Sequence, residues 1–145
     1  MSRRRPLTIL AVVGAAAAIT ACGSKSIDLG KTAEHGSQAA TLKQGAEIFA
    51  QRCGGCHTLD AAGTQGSANT IKYRERTDGP NLNTRKEQMA QVLYAIANGG
   101  FSGAIMPQNI VVGPDAQKVA AFVAKYAGRK AKTPKGPSGP PPAGF

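Results

Sequence analysis

Cys53-Gly54-Gly55-Cys56-His57 is the stretch in which residue types and spacing together could do chemistry. Two thiols three residues apart can add to the two vinyl groups along one edge of a porphyrin, and the next residue's imidazole then lies under the iron; this is the pattern of covalent haem attachment. A bare Cys-x-x-Cys also serves thiol redox chemistry or forms half of a zinc site. A redox dithiol usually opens a helix in an α/β setting, and no such pattern is present. Zinc would need two further ligands, whereas His35 is the one other histidine and lies in a polar, aperiodic stretch. The residues therefore favour one haem c on Cys53 and Cys56, with His57 on the iron. Cys22, the third cysteine, ends an N-terminal apolar run, which leaves a single close pair and no disulfide framework.

Three helices are expected to position this group. Thr41-Leu42-Lys43-Gln44 has the form of a capping box and predicts a helix to about Gln51, with Leu42, Ala46, Phe49 and Cys53 on one side. Thr84-Arg85-Lys86-Glu87 repeats that form and predicts a second helix, carrying Met89, Val92, Leu93 and Ile96 on an apolar stripe until Asn98-Gly99-Gly100 stops it. Pro114 marks the first turn of a third, with Val119, Phe122, Val123 and Tyr126 on one stripe and Gly128 at its end. No stretch alternates with a period of two over strand length, so the fold class is all-α with long loops.

The chain has 145 residues and a formal net charge of +10, most of it at the two ends. Between Thr41 and Gly128 nine Lys or Arg face six Asp or Glu, a bias too small and scattered for nucleic acid. Ser2 to Pro6 is basic, Leu7 to Ala21 is uncharged, and Cys22 follows, so residues 1–21 read as an export signal. Ile19-Thr20-Ala21-Cys22 resembles the bacterial lipobox, which implies cleavage before Cys22 and a diacylglycerol on its sulfur. Residues 22–40 read as a flexible tether with an r.m.s. span on the order of 25 Å. Residues 129–145, rich in Pro, Gly and Lys, read as a disordered basic tail. That leaves residues 41–128 as one domain, whose core is thin: there is no Trp, and only four Phe and three Tyr in the chain. A flat apolar prosthetic group would fill it.

Over residues 41–128 the chain resembles the class I, single-haem c-type cytochromes. Gly45 and Phe49 fall where that family has a glycine and an aromatic on its first helix, and Val119 and Phe122 match the contact pair on its last. Gly79-Pro80-Asn81-Leu82 resembles the loop whose proline carbonyl accepts a hydrogen bond from the proximal imidazole. Met106-Pro107 resembles the distal ligand motif, while Met89 is read as core. Thr58 to Asp78 is longer than the shortest members carry and is expected to be a solvated loop. The resemblance implies iron held by His57 and Met106, no open position for substrate, and therefore single-electron transfer without enzymatic activity. A lipid-anchored monomer on the outer face of a bacterial membrane, exchanging electrons with membrane-bound redox proteins of a respiratory chain, is the expected setting. A haem enzyme or gas sensor with a labile distal site, or a fixed subunit of a larger respiratory complex, are the alternatives.

Overall fold

Leu42, Ala46 and Phe49 recur at helical spacing and are the buried face of the first helix, α1 (Ser37–Arg52), in the computed structural model, which describes residues 26–30, 36–68, 71–73, 75, 77–100 and 105–130. α1 begins four residues before the expected capping box. The Thr41 hydroxyl donates back to the Ser37 carbonyl at 2.9 Å, so it lies inside the helix and caps nothing. The start falls instead at Gly36, whose positive φ of 79° turns the chain into the helix.

The third helix, α3 (Gly113–Tyr126), opens on Pro114 as expected and buries Val119, Phe122, Val123 and Tyr126. α1 crosses α3 at Gly45. A Cβ there would run into the Lys118 carbonyl and lie 2.8 Å from Cβ of Phe122, so only hydrogen lets the two backbones approach. Gly45→Ala gains about 1 kcal/mol of helix propensity, but overpacking against an unyielding backbone costs about 1–3 kcal/mol. The expected result is a net loss of stability, read as a lower guanidinium midpoint for the holoprotein.

Between them lies α2 (Met89–Asn98), with its cap at Gln88 rather than Thr84. Gln88 and Gln91 exchange the two capping-box hydrogen bonds. Thr84 instead donates to the Asn81 carbonyl, and Glu87 is buried against Arg85 at 2.9 Å, so neither side chain is available to cap. Met89 stands at the exposed first position of α2, not in the core; Ile96 and Gln91 are the buried residues.

Thr58 to Asp78 departs from the solvated loop expected of it. Its first part folds as a hairpin of two-residue strands, β1 (Thr58–Leu59) and β2 (Thr64–Gln65), around the 3-10 turn Asp60–Ala62. Thr58, Leu59, Ala62 and Thr64 are buried. Thr58 and Ser67 exchange hydroxyl and backbone bonds at 2.9 and 3.0 Å, and the Thr64 hydroxyl accepts from Leu59 N–H at 3.0 Å. Side-chain hydroxyls thus satisfy a backbone that has too little ladder of its own. Tyr73 is exposed, as expected of a surface loop; Arg74 and Arg76 lie outside the described residues.

Chain on both sides of residues 41–128 packs onto the domain. Past α3 the chain closes onto the loop before α2, with Gly128 N–H on the Leu82 carbonyl and Lys130 N–H on the Asn83 carbonyl, both at 2.8 Å. Lys130 pairs with Asp60, which Asn83 holds through two hydrogen bonds. At the other end, Ser26–Gly30 does not behave as part of a tether: Ile27 and Leu29 pack against the core, Asp28 N–H donates to the Ala61 carbonyl, and the Tyr126 hydroxyl donates to the Leu29 carbonyl at 3.1 Å. The signal, residues 22–25, residues 31–35 and residues 131–145 lie outside the described residues, while residues 37–40 of the expected tether form the first turn of α1. Among the described residues no helix is long and apolar enough to cross a membrane.

Candidate cofactor site

The cysteine pair is the C-terminal cap of α1. Cys53 N–H and Gly54 N–H both reach the Phe49 carbonyl, and Cys56 N–H and His57 N–H both return to the Cys53 carbonyl, so the five residues coil into one tight turn directly off the helix. Cys53 points into the core and Cys56 is exposed, which puts the two sulfurs at different depths along one edge. Burial, with a smaller contribution from Cys56, pushes the Cys53 thiol up to about 11. A buried thiol held protonated is a poor nucleophile at neutral pH, which disfavours a dithiol redox centre.

Glycines form a sleeve around the turn. A Cβ on Gly66 would lie 2.7 Å from the Cys56 nitrogen, and one on Gly79 would lie 2.6 Å from Nδ1 of His57 and 2.8 Å from the Cys56 carbonyl. Gly79 N–H donates to that carbonyl at 2.7 Å. A Cβ on Gly54 would meet the Thr64 methyl at 2.7 Å, so the hairpin is pressed against the turn as well. Gly66, Thr64 and the hairpin were not found from sequence, where a lone glycine between polar residues carries no sign of what packs against it.

His57 is fixed from two sides. Its Nδ1 lies 3.2 Å from the Pro80 carbonyl, which can only accept; Nδ1 therefore carries the hydrogen and Nε2 keeps its lone pair. Phe49 packs beside the ring, its centroid 6.3 Å away and tilted by 53°. The Pro80 carbonyl is placed by the bridge between Asn81 and Thr58 and by Leu82 N–H on the Thr58 carbonyl. Burial lowers the imidazole pKa most; the Pro80 bond opposes this, Arg85 adds to it and Glu87 opposes it. The net effect is a neutral ring, the form that can donate to a metal.

Met106 comes from a different part of the chain, the loop between α2 and α3. It is half-buried against the core. The loop is fastened to the end of α2, where Asn109 N–H donates to the Ile96 carbonyl at 2.8 Å and Gln108 Nε2 to the Asn98 carbonyl at 3.3 Å, two acceptors that helix termini leave open. Gly99, with φ of 77°, lets the Met106 carbonyl pass where a Cβ would be 2.7 Å away. Residues 101–104 lie outside the described residues. A cavity of about 730 Å³ lined by Leu93, Ile96, Val111 and Ala116 opens between α2 and the start of α3, but neither His57 nor Met106 lines it.

Cys53, Cys56, His57 and Pro80 are thus brought together on one turn and its facing loop, Met106 is held on a second loop, and Cys22 is not described. Two thiols on one turn, beside a neutral imidazole whose Nδ1 hydrogen is already committed, fit a covalently attached haem. Among the described residues no three His, Cys, Asp or Glu side chains come together as zinc would require. The family model described as Cytochrome c matches residues 42–127. Among solved structures, the chain is similar to the c-type cytochrome SorU from Sinorhizobium meliloti, at 34% identity and a TM-score of 0.49, over 65% of this chain and 98% of that one. No curated protein matches it.

Proposed function

Since this chain belongs to the cytochrome c family, with the class I fold and one covalently bound c-type haem, we propose that it is a membrane-anchored electron carrier whose iron is held by His57 and Met106. The haem supplies a one-electron couple between ferric and ferrous iron. Everything else is the work of the side chains. Cys53 and Cys56 fix the porphyrin edge to the end of α1. His57 offers Nε2, and the Pro80 carbonyl, by accepting from Nδ1, both orients the ring and makes it a more electron-rich donor. Met106 offers a soft, neutral thioether that favours the ferrous state and raises the potential. The apolar packing of Phe49, Leu82 and Phe122 excludes water and disfavours the extra charge of the ferric state. With His57 and Met106 both given to the iron, no donor position would be left for substrate, and single-electron transfer would follow in place of catalysis.

The observation that carries this reading is the hydrogen bond from His57 Nδ1 to Pro80, because it leaves Nε2 as the imidazole nitrogen with a lone pair to offer iron. Export and a diacylglycerol on Cys22 rest on the lipobox-like Ile19-Thr20-Ala21-Cys22 and would place the monomer on the outer face of a bacterial membrane, among membrane-bound redox proteins of a respiratory chain. The test is optical: spectra of the matured protein oxidised, reduced, and reduced under carbon monoxide. A low-spin c-type spectrum with the weak far-red methionine-to-ferric band, unchanged by carbon monoxide, is expected. A high-spin oxidised form that binds carbon monoxide rapidly would remove Met106 from the iron and favour a haem enzyme or gas sensor.

A further inference from the structure

Residues 26–30 have the composition of a linker and the contacts of a structural element. Ile27 and Leu29 pack against the core, Asp28 N–H reaches the Ala61 carbonyl, and Tyr126 donates to the Leu29 carbonyl from the last turn of α3. Asp28 also closes the strap on itself, its carboxylate accepting from Gly30 N–H at 2.8 Å. The strap therefore lies across the corner where the hairpin turn, the end of α3 and the Asp60–Lys130 pair meet. Both ends of the described chain leave from this corner. Arg129, whose guanidinium lies 4.0 Å over the Tyr126 ring, and Lys130 stand there, and Lys132 and Lys135 follow them in sequence.

We propose that the strap Ser26–Gly30 turns the lipid anchor into a short leash that holds the Tyr126–Lys130 corner of the domain against the bilayer. This rests on the reading of Cys22 as the lipidated residue. Only Gly23, Ser24 and Lys25 separate Cys22 from Ser26, a reach of at most about 14 Å, whereas an undocked linker to α1 would have an r.m.s. span of roughly 20 Å and could stretch well beyond it. A leash that short, fixed at one corner, selects which face of the domain meets the membrane. Arg129 is exposed at this corner, and Lys132 and Lys135 follow it in sequence, a positive charge that matches an anionic lipid surface. The opposite end of α3, with the groove at Val111 and Ala116 and the exposed Val112, is turned away from the bilayer.

The experiment uses the full-length, haem-loaded, lipidated protein in vesicles of phosphatidylcholine and phosphatidylglycerol. With Cys53 and Cys56 bonded to haem and Cys22 to lipid, the chain has no free thiol, so a bulky water-soluble maleimide reports on one introduced cysteine alone. Arg129→Cys marks the corner and Gln117→Cys marks an exposed point about 14 Å along the α3 axis from Tyr126, where the corner begins. Labelling is expected to be several-fold slower at position 129 than at 117, and the difference is expected to vanish when Ile27→Gly and Leu29→Gly release the strap. Equal rates with the strap intact would overturn the orientation while leaving the anchor standing, and a difference that survives release would overturn the role of the strap. Maleimide uptake by the parent chain, or an N-terminal mass lacking diacylglycerol, would instead remove the anchor and the leash with it.

Discussion

Met106→Ala is expected to lower the reduction potential by on the order of 0.2 V, a sizeable part of the roughly 0.8 V that axial ligands span. The sign follows from the donor. A thioether is neutral and soft and stabilises ferrous iron, whereas the water or hydroxide that replaces it prefers the ferric state. If Met106 holds the iron as proposed, removing its side chain vacates a donor position, so carbon monoxide is expected to bind the reduced variant quickly and to leave the parent unchanged. The loop itself should persist, because Asn109 N–H and Gln108 hold it to α2 through atoms the substitution leaves untouched. Potentiometric titration and a carbon monoxide difference spectrum measure both effects. An unchanged potential together with an unreactive ferrous form would strike Met106 from the ligand set.

Gly79→Ala is expected to act with the opposite sign on the potential and to cost stability as well. The new methyl would lie 2.6 Å from Nδ1 of His57 and 2.8 Å from the Cys56 carbonyl, and neither has room to retreat, since the ring backs onto Phe49 and the carbonyl already binds Gly79 N–H. The ring is expected to tilt off the Pro80 carbonyl. Losing that bond makes the imidazole a weaker donor to ferric iron, which raises the potential. A hydrogen bond worth about 1 kcal/mol corresponds to a shift of about 40 mV for a one-electron couple. The crowding adds a loss of about 1–3 kcal/mol in denaturant titration. A potential that fell, or a protein as stable as its parent, would contradict the sleeve of glycines described around the turn.

What could be read from sequence was what depends on local spacing. Cys53, Cys56 and His57 declare themselves because the chemistry fixes their separation, and α3 does so because Pro114, the stripe from Val119 to Tyr126 and Gly128 agree with one another. Gly45 was legible through resemblance to the family, and the crossing with α3 is where the structure places it. The starts of α1 and α2 were not legible: Thr84 and Glu87 have the form of a capping box, but the Thr84 hydroxyl is taken by the Asn81 carbonyl and Glu87 by Arg85, and Gln88, which is not among the favoured cap residues, takes the cap with Gln91. The hairpin escaped because two-residue strands are too short to show alternation. Gly66 and the strap escaped for a related reason. Two apolar residues among polar ones, or one glycine in a loop, acquire meaning only from distant neighbours such as Tyr126 and Cys56.

The crossing of α1 with α3 also imposes an order on how the molecule is made. Phe49 meets His57 early in the chain, but the α3 backbone and the Phe122 ring that cover Gly45 and the other side of Phe49 come about seventy residues later, so the core of the newly made polypeptide stays open until α3 has been delivered. During that interval the turn from Cys53 to His57 is open, and Cys53, buried once the helices pack, is still within reach of the machinery that attaches the haem. The topology therefore acts as a timer: covalent attachment belongs to the period before α3 docks, and a substitution that hastened that docking would leave a folded chain with its inner thiol sealed away.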